Sequence, residues 1–216
     1  MRKGWLTATA AAAVAATAAG AAHNRRWATL TKPLPMALLA ARVAADRRIG
    51  RVDRALALGA IGLSMAGDYW MLREEFEPAE SSAKNPYLRR GAAFFSGAQI
   101  CYQAGFARRG ARYDLRAFAP RMAAMGEPAA ILTAKAPSAL PVLGPYGALL
   151  AGMSTIAADD GPKAKVGGLL FQASDIAIIN RRHLLHSPGV RAGAEAWVLG
   201  SYFAAQYLLV DALLDR

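Results

Sequence analysis

A chain of 216 residues has room for one domain, and its single cysteine, Cys101, excludes an intrachain disulfide. Hydrophobic residues make up 55% and charged residues 19%, a balance too apolar for an ordinary soluble domain. The net charge of +11 suits nucleic acid or an anionic lipid surface, but the arginines fall between apolar runs rather than along one face, which argues for a membrane and against a nucleic-acid partner.

Residues 1–22 have a basic start and an alanine-rich apolar body, the pattern of a cleaved signal peptide or of a first transmembrane helix; we read an uncleaved helix. A short basic joint follows, and Lys32-Pro33 suits a helix start, since proline at the first position loses no helical hydrogen bond. Residues 33–45 are apolar but short for a crossing. After a basic joint, residues 55–72 are long enough to span and carry one acid, Asp68. Residues 73–90 hold Glu74, Glu75, Glu77 and Glu80, then Lys84, Arg89 and Arg90, and read as a solvated loop broken by Pro78 and Asn85-Pro86. Residues 91–107 form an apolar run with Gln99 and Tyr102 inside it. The weakest span is 117–134, where Pro120, Arg121, Glu127 and Pro128 interrupt the pattern. Residues 136–158 are apolar, and Asp159-Asp160-Gly161-Pro162 makes a turn into a second acid-bearing run, 167–182. The last long run, 192–214, carries Glu195, Tyr202 and Gln206.

No period-two alternation appears, so the predicted class is all-α: a polytopic transmembrane helical bundle of about eight helices in a single domain, 1–216. Trp5, Trp27, Trp70 and Trp197 stand near span ends, as interfacial aromatics do. The side holding the N-terminus, the joints near 42–54, 108–121 and 163–165, and the C-terminus carries more lysine and arginine than the other. Both termini are therefore expected in the cytoplasm, with the protein in the plasma (inner) membrane.

The two acid-bearing runs share a form. Leu63, Ala66, Gly67 and Asp68 match Leu170, Ala173, Ser174 and Asp175 in spacing. A carboxylate in a bilayer-spanning helix costs roughly 2.5–3.5 kcal/mol on insertion scales, so two such acids point to use. With eight passes, the third and seventh run in the same direction. Both acids lie past the midpoint of their spans, which puts them in the same half of the membrane.

At these residues the sequence resembles the YhhN-type lysoplasmalogenases, a family of polytopic membrane proteins. The matching pieces are Thr31-Lys32-Pro33-Leu34, the run from Gly62-Leu63 to Gly67-Asp68, Phe171 with Ser174-Asp175, and Tyr202-x-x-Ala205-Gln206; Cys101-Tyr102 and Tyr146 with Met153 fit more loosely. The family pattern commonly places a histidine three residues before the tyrosine of the fourth span, and Gln99 stands there in this chain. A glutamine does not shuttle protons as an imidazole does. The resemblance implies hydrolysis of the vinyl ether of lysoplasmalogens, or of another ether lipid, to a fatty aldehyde and a glycerophospho-headgroup.

That chemistry needs a proton donor beside the double bond and a group that positions and deprotonates water. Asp68 and Asp175 are the candidate catalytic pair, because two carboxyls in one low-dielectric cavity divide the roles of acid and base. Asp175 is the expected donor: its span reads as the more apolar and keeps Gln172 one turn away to orient it. Ser64, Gln99, Tyr146, Gln172, Tyr202 and Gln206 are expected to line the substrate cavity, and Lys32 is a candidate phosphate contact or a snorkelling lysine. The expected partners are the lysophospholipid or ether-lipid substrate and membrane lipids. No cofactor and no metal is expected, since His183 and His186 lack a third ligand nearby. Two other readings remain open at this level. The acids serve a proton- or ion-coupled transporter or lipid-binding protein, or they are structural hydrogen-bond partners of Gln206 or Tyr202.

Overall fold

A computed structural model describes residues 2–78 and 80–215. Ten α-helices follow one another: α1 Arg2–Ala21, α2 Arg25–Thr31, α3 Pro33–Ala45, α4 Arg51–Glu75, α5 Lys84–Arg108, α6 Leu115–Ala124, α7 Gly126–Lys135, α8 Leu140–Asp160, α9 Pro162–His183 and α10 Pro188–Leu214. A 3-10 turn, Pro137–Ala139, leads into α8, and no strand occurs among the described residues. Pro33, Pro162 and Pro188 begin α3, α9 and α10, where a missing N–H costs nothing. Asn24 and Asp114 cap α2 and α6 by accepting from the backbone N–H of Trp27 and Arg116. Between α8 and α9 the chain reverses over one residue, Gly161, whose φ of 147° lies in the region that favours glycine.

With α2 as a joint and α6–α7 as one broken rod, the chain makes eight passes. The packing order runs α3, α4, α5, α8, α9, α10, α1, with α1 returning to α3 and α6–α7 lying against α8 and α9. One contiguous apolar core runs through the bundle, from Met36 and Ile61 to Phe171 and Leu209. Among the described residues, four helices are long and apolar enough to cross a membrane: Gly4–Ala21, Arg51–Glu75, Pro137–Asp160 and Pro188–Leu214. Helices α5 and α9 match them in length but carry charged ends, while Phe94, Ile100, Val166 and Leu169 face outward from them. This composition is compatible with a membrane protein.

Ion pairs hold the two ends of the bundle. At one end, Asp211 of α10 accepts from Arg42 of α3 and Lys163 of α9, and Arg109 bonds Asp160 at 2.6 Å. At the other, Arg181 of α9 pairs with Glu75 of α4 and Glu195 of α10. Glu74 lies 3.3 Å from both Lys84 and Arg182 and is only 1% exposed. Here the structure corrects the solvated loop expected over 73–90. Glu74 and Glu75 complete the last turn of α4 and face arginines brought in by α9, while Lys84 opens α5 and pairs with Glu74.

Residues 117–134 differ too. They form two ten-residue helices broken at Met125 rather than one span, because Pro120 and Pro128 each remove an N–H and Gly126 weakens the join. Arg121 is satisfied by the Ser154 hydroxyl at 3.1 Å and the Ala117 carbonyl at 2.7 Å. Cys101 is half-buried and free.

Candidate active site

Residues four apart on a helix share a face, and this spacing builds the site. Ser64 and Asp68 stack on one face of α4; Tyr202 and Gln206 stack on the face of α10 opposite. Two polar rungs result. The Tyr202 hydroxyl donates to Asp68 Oδ2 at 2.7 Å. One turn away, Gln206 Nε2 donates to Ser64 Oγ at 2.9 Å, while its Oε1 accepts from the Tyr102 hydroxyl of α5 at 2.5 Å. Lys32, at the α2–α3 joint, stands 4.0 Å from Asp68 Oδ1. Asp68, Ser64, Tyr102, Tyr202 and Gln206 are all buried.

Asp175 has a different setting. Its Oδ2 accepts from the Tyr146 hydroxyl of α8. Both residues line an apolar cleft of about 110 Å³ whose other walls are hydrocarbon from α4 to α9, including Phe95, Leu150 and Ile179. Met122, an exposed residue of α6, also lines the cleft, so it reaches the outer surface of the bundle.

Helices α4 and α9 run in the same direction, and Asp68 and Asp175 lie seven and eight residues before their respective ends at Glu75 and His183. The carboxyls thus sit at similar depth. They do not share one hydrogen-bond network. Phe95, Phe171 and the Tyr202 ring meet edge to face, with centroids 5.7–6.0 Å apart, and form the wall between them. Asp175 and Tyr146 line the cleft; Asp68, Lys32, Ser64 and Gln206 do not, and lie on the side of the wall to which the Tyr202 hydroxyl points.

Gln99 of α5 is fully buried beside the Tyr146 hydroxyl, yet neither polar atom of its amide has a hydrogen-bond partner of normal geometry. A buried amide left this way costs free energy unless water or a ligand satisfies it.

Gln172 does not orient Asp175. Its Nε2 donates to the Arg121 carbonyl at 2.6 Å, one of the carbonyls left free where α6 ends. Nor does α9 count among the four long apolar helices, whereas α4 does, so Asp68 lies in the more apolar span of the two.

Sequence reasoning missed Tyr102 as the donor to Gln206 and the Phe95–Phe171 wall. It also missed the charged cluster of Glu74, Glu75, Arg181 and Arg182. The signal for that cluster was present in the chain. Two helices running the same way end in Glu-Glu and Arg-Arg, and so deliver those pairs to the same end.

The YhhN family model matches residues 27–213, from α2 to the last turn of α10. The chain belongs to the YhhN family. No curated protein and no solved structure matches it. Within this YhhN-family chain the match takes in both aspartates, both phenols and the cleft, and leaves α1 outside.

Proposed function

We propose that this YhhN-family protein is a lysoplasmalogenase of the plasma (inner) membrane, with both termini in the cytoplasm, that hydrolyses the vinyl ether of lysoplasmalogens. The observation that carries the reading is the Asp175 carboxyl, held by Tyr146 in the wall of a cleft otherwise lined by hydrocarbon and reaching the bundle surface at Met122. An alkenyl chain entering from the bilayer lies along that wall with its double bond at the carboxyl.

In this mechanism Asp175 delivers a proton to the β-carbon of the vinyl ether, and an oxocarbenium ion forms at the α-carbon. Water adds there and gives up a proton to the carboxylate, which restores the acid. The hemiacetal then collapses: the C–O bond breaks, the glycerol oxygen takes a proton and the hydroxyl loses one. One water is consumed, and the products are a fatty aldehyde and the glycerophospho-alcohol. Asp68 supports this step from behind the aromatic wall, as fixed negative charge near the developing cation. Gln99, with its two unpartnered atoms beside Tyr146, is placed to hold the attacking water. A positioned general acid contributes typically 10²–10⁴-fold.

The test is direct. Purified protein in maltoside micelles, given a lysoplasmalogen, is expected to release fatty aldehyde; the saturated alkyl ether of the same headgroup is expected to survive, since it has no double bond to protonate. Absence of aldehyde from the vinyl ether, with folded protein, would refute the proposal.

A further inference from the structure

The cleft at Asp175 does not end in hydrocarbon. One turn further along each of four helices, the lining turns from apolar to polar or charged: Met71 gives way to Glu74 on α4, Leu88 to Asn85 on α5, Leu132 to Lys135 on α7 and Ile179 to Arg182 on α9. These four residues line a second and larger cavity of about 650 Å³ at the Arg181 end of the bundle. Seven residues separate Asp175 from Arg182, a rise of about 10 Å along the helix.

The charges in this cavity divide into two groups. Arg181 is already matched, with Glu75 and Glu195 as partners. The other group gathers around His183, which has Arg182, Lys135 and Lys84 as positive neighbours and Glu74 as its negative one. Around His183 three cations face one carboxylate; over the whole lining, with Glu77 and Arg191 included, five lysines and arginines face four glutamates, an excess of one positive charge. The donors are also unspent. The Arg182 side chain is 9% exposed; its Nη2 donates to Asn85 Oδ1 at 2.5 Å, while Nη1, 3.3 Å from Glu74, has no hydrogen-bond partner. His183 Nε2 is buried and unpartnered as well. Lys135 is exposed at the mouth and makes no hydrogen bond or ion pair with the described residues.

We infer that this cavity is a phosphate site, in which Arg182, His183 and Lys135 hold the phosphate ester of a single-chain amphiphile whose tail occupies the cleft at Asp175. The inference rests on the amphiphile reading above and assigns the headgroup to the cavity rather than to Lys32, which lines neither space and is turned toward Asp68. A planar guanidinium whose Nη1 makes no hydrogen bond, and a lysine at the rim, match the oxygens of a phosphate. Free inorganic phosphate offers the same oxygens, and the two sources separate experimentally.

The experiment measures binding rather than turnover, with the full chain in maltoside micelles and three probes: a hexadecyl glyceryl ether bearing phosphocholine, the same ether without a headgroup, and inorganic phosphate. The saturated ether is not a substrate, so the result stands whether or not aldehyde is ever released, and a protein that releases aldehyde but ignores the headgroup would sink this inference alone. The phosphorylated amphiphile is expected to bind at least tenfold tighter than the bare ether. Lys135→Gln, at an exposed position, and Arg182→Gln are each expected to erode that preference several-fold and leave the bare ether unaffected. Tight binding of inorganic phosphate, lost in Arg182→Gln and without preference between the ethers, would keep the phosphate site and assign it to the free ion. Equal affinity for both ethers with no phosphate binding, or a preference that both variants retain, would overturn the inference.

Discussion

Asp68 and Asp175 share a local sequence but not a local environment, and the difference lies in their phenol partners. Tyr202 holds Asp68 behind the aromatic wall; Tyr146 holds Asp175 at the cleft. A hydrogen bond to a charged group is worth about 1.5–3 kcal/mol, so either Tyr→Phe change is expected to leave a folded protein. Tyr146→Phe frees the carboxyl that faces substrate and is expected to lower turnover tenfold or more. Tyr202→Phe acts at one remove and is expected to cost less. Aldehyde release at matched size-exclusion profiles compares the two, and a larger loss in Tyr202→Phe would count against Asp175 as the donor. The acids were legible in the sequence because a lone carboxylate is costly in an apolar run and stands out against it. Their partners were less so, since a tyrosine in such a run packs or bonds equally well and spacing alone does not choose. Gln172 shows the limit: one turn from Asp175 in sequence, it turns to a carbonyl that exists only because α6 stops short.

Among the elements, α9 depends most on having no side chain at two positions. A Cβ on Gly168 would stand 2.9 Å from Ser154 Cα on α8, and one on Gly167 would stand 3.2 Å from the Ala205 carbonyl on α10. In a bilayer, where helices associate by close packing, such small residues set the approach. Gly168→Ala meets backbone and is expected to destabilise by roughly 1–3 kcal/mol, the usual cost of overpacking, read as a lower Tm in detergent. Gly144→Ala has open space around it and serves as the control, with no comparable drop expected. Most elements were legible because apolar runs between basic joints mark helices whatever their packing. Two were not. The interruption at Met125 needs Pro120, Gly126 and Pro128 to act together, and the last turn of α4 looked like a loop because two of its main partners, Arg181 and Arg182, lie more than 100 positions away.

At the scale of the whole molecule, parity does the positioning. Because α4 and α9 run the same way, one arrangement sets both carboxyls at similar depth and both charged termini at one end. The resulting order, hydrocarbon at the cleft, then the acid, then a cavity of mixed charge, matches the order of an amphiphile from tail to headgroup. The Arg181 cluster also closes that end. Arg181→Met would leave Glu75 and Glu195 facing each other unpaired, and removing one partner of a buried ion pair costs roughly 3–5 kcal/mol. A marked loss of thermal stability is expected; an unchanged Tm would show the cluster to be well solvated. That the two acid-bearing helices run the same way was legible from the count of passes, while the pairing across them required the fold.

The central claim is that two carboxyls inside the bundle carry out the cleavage, with Asp175 as the acid. Its most direct test is the rate of aldehyde release from lysoplasmalogen by Asp175→Asn and Asp68→Asn, each purified as folded protein. The account expects Asp175→Asn to lose activity by about 10²–10⁴-fold and Asp68→Asn to be severely impaired as well. Retention of near wild-type rates by both variants would contradict it.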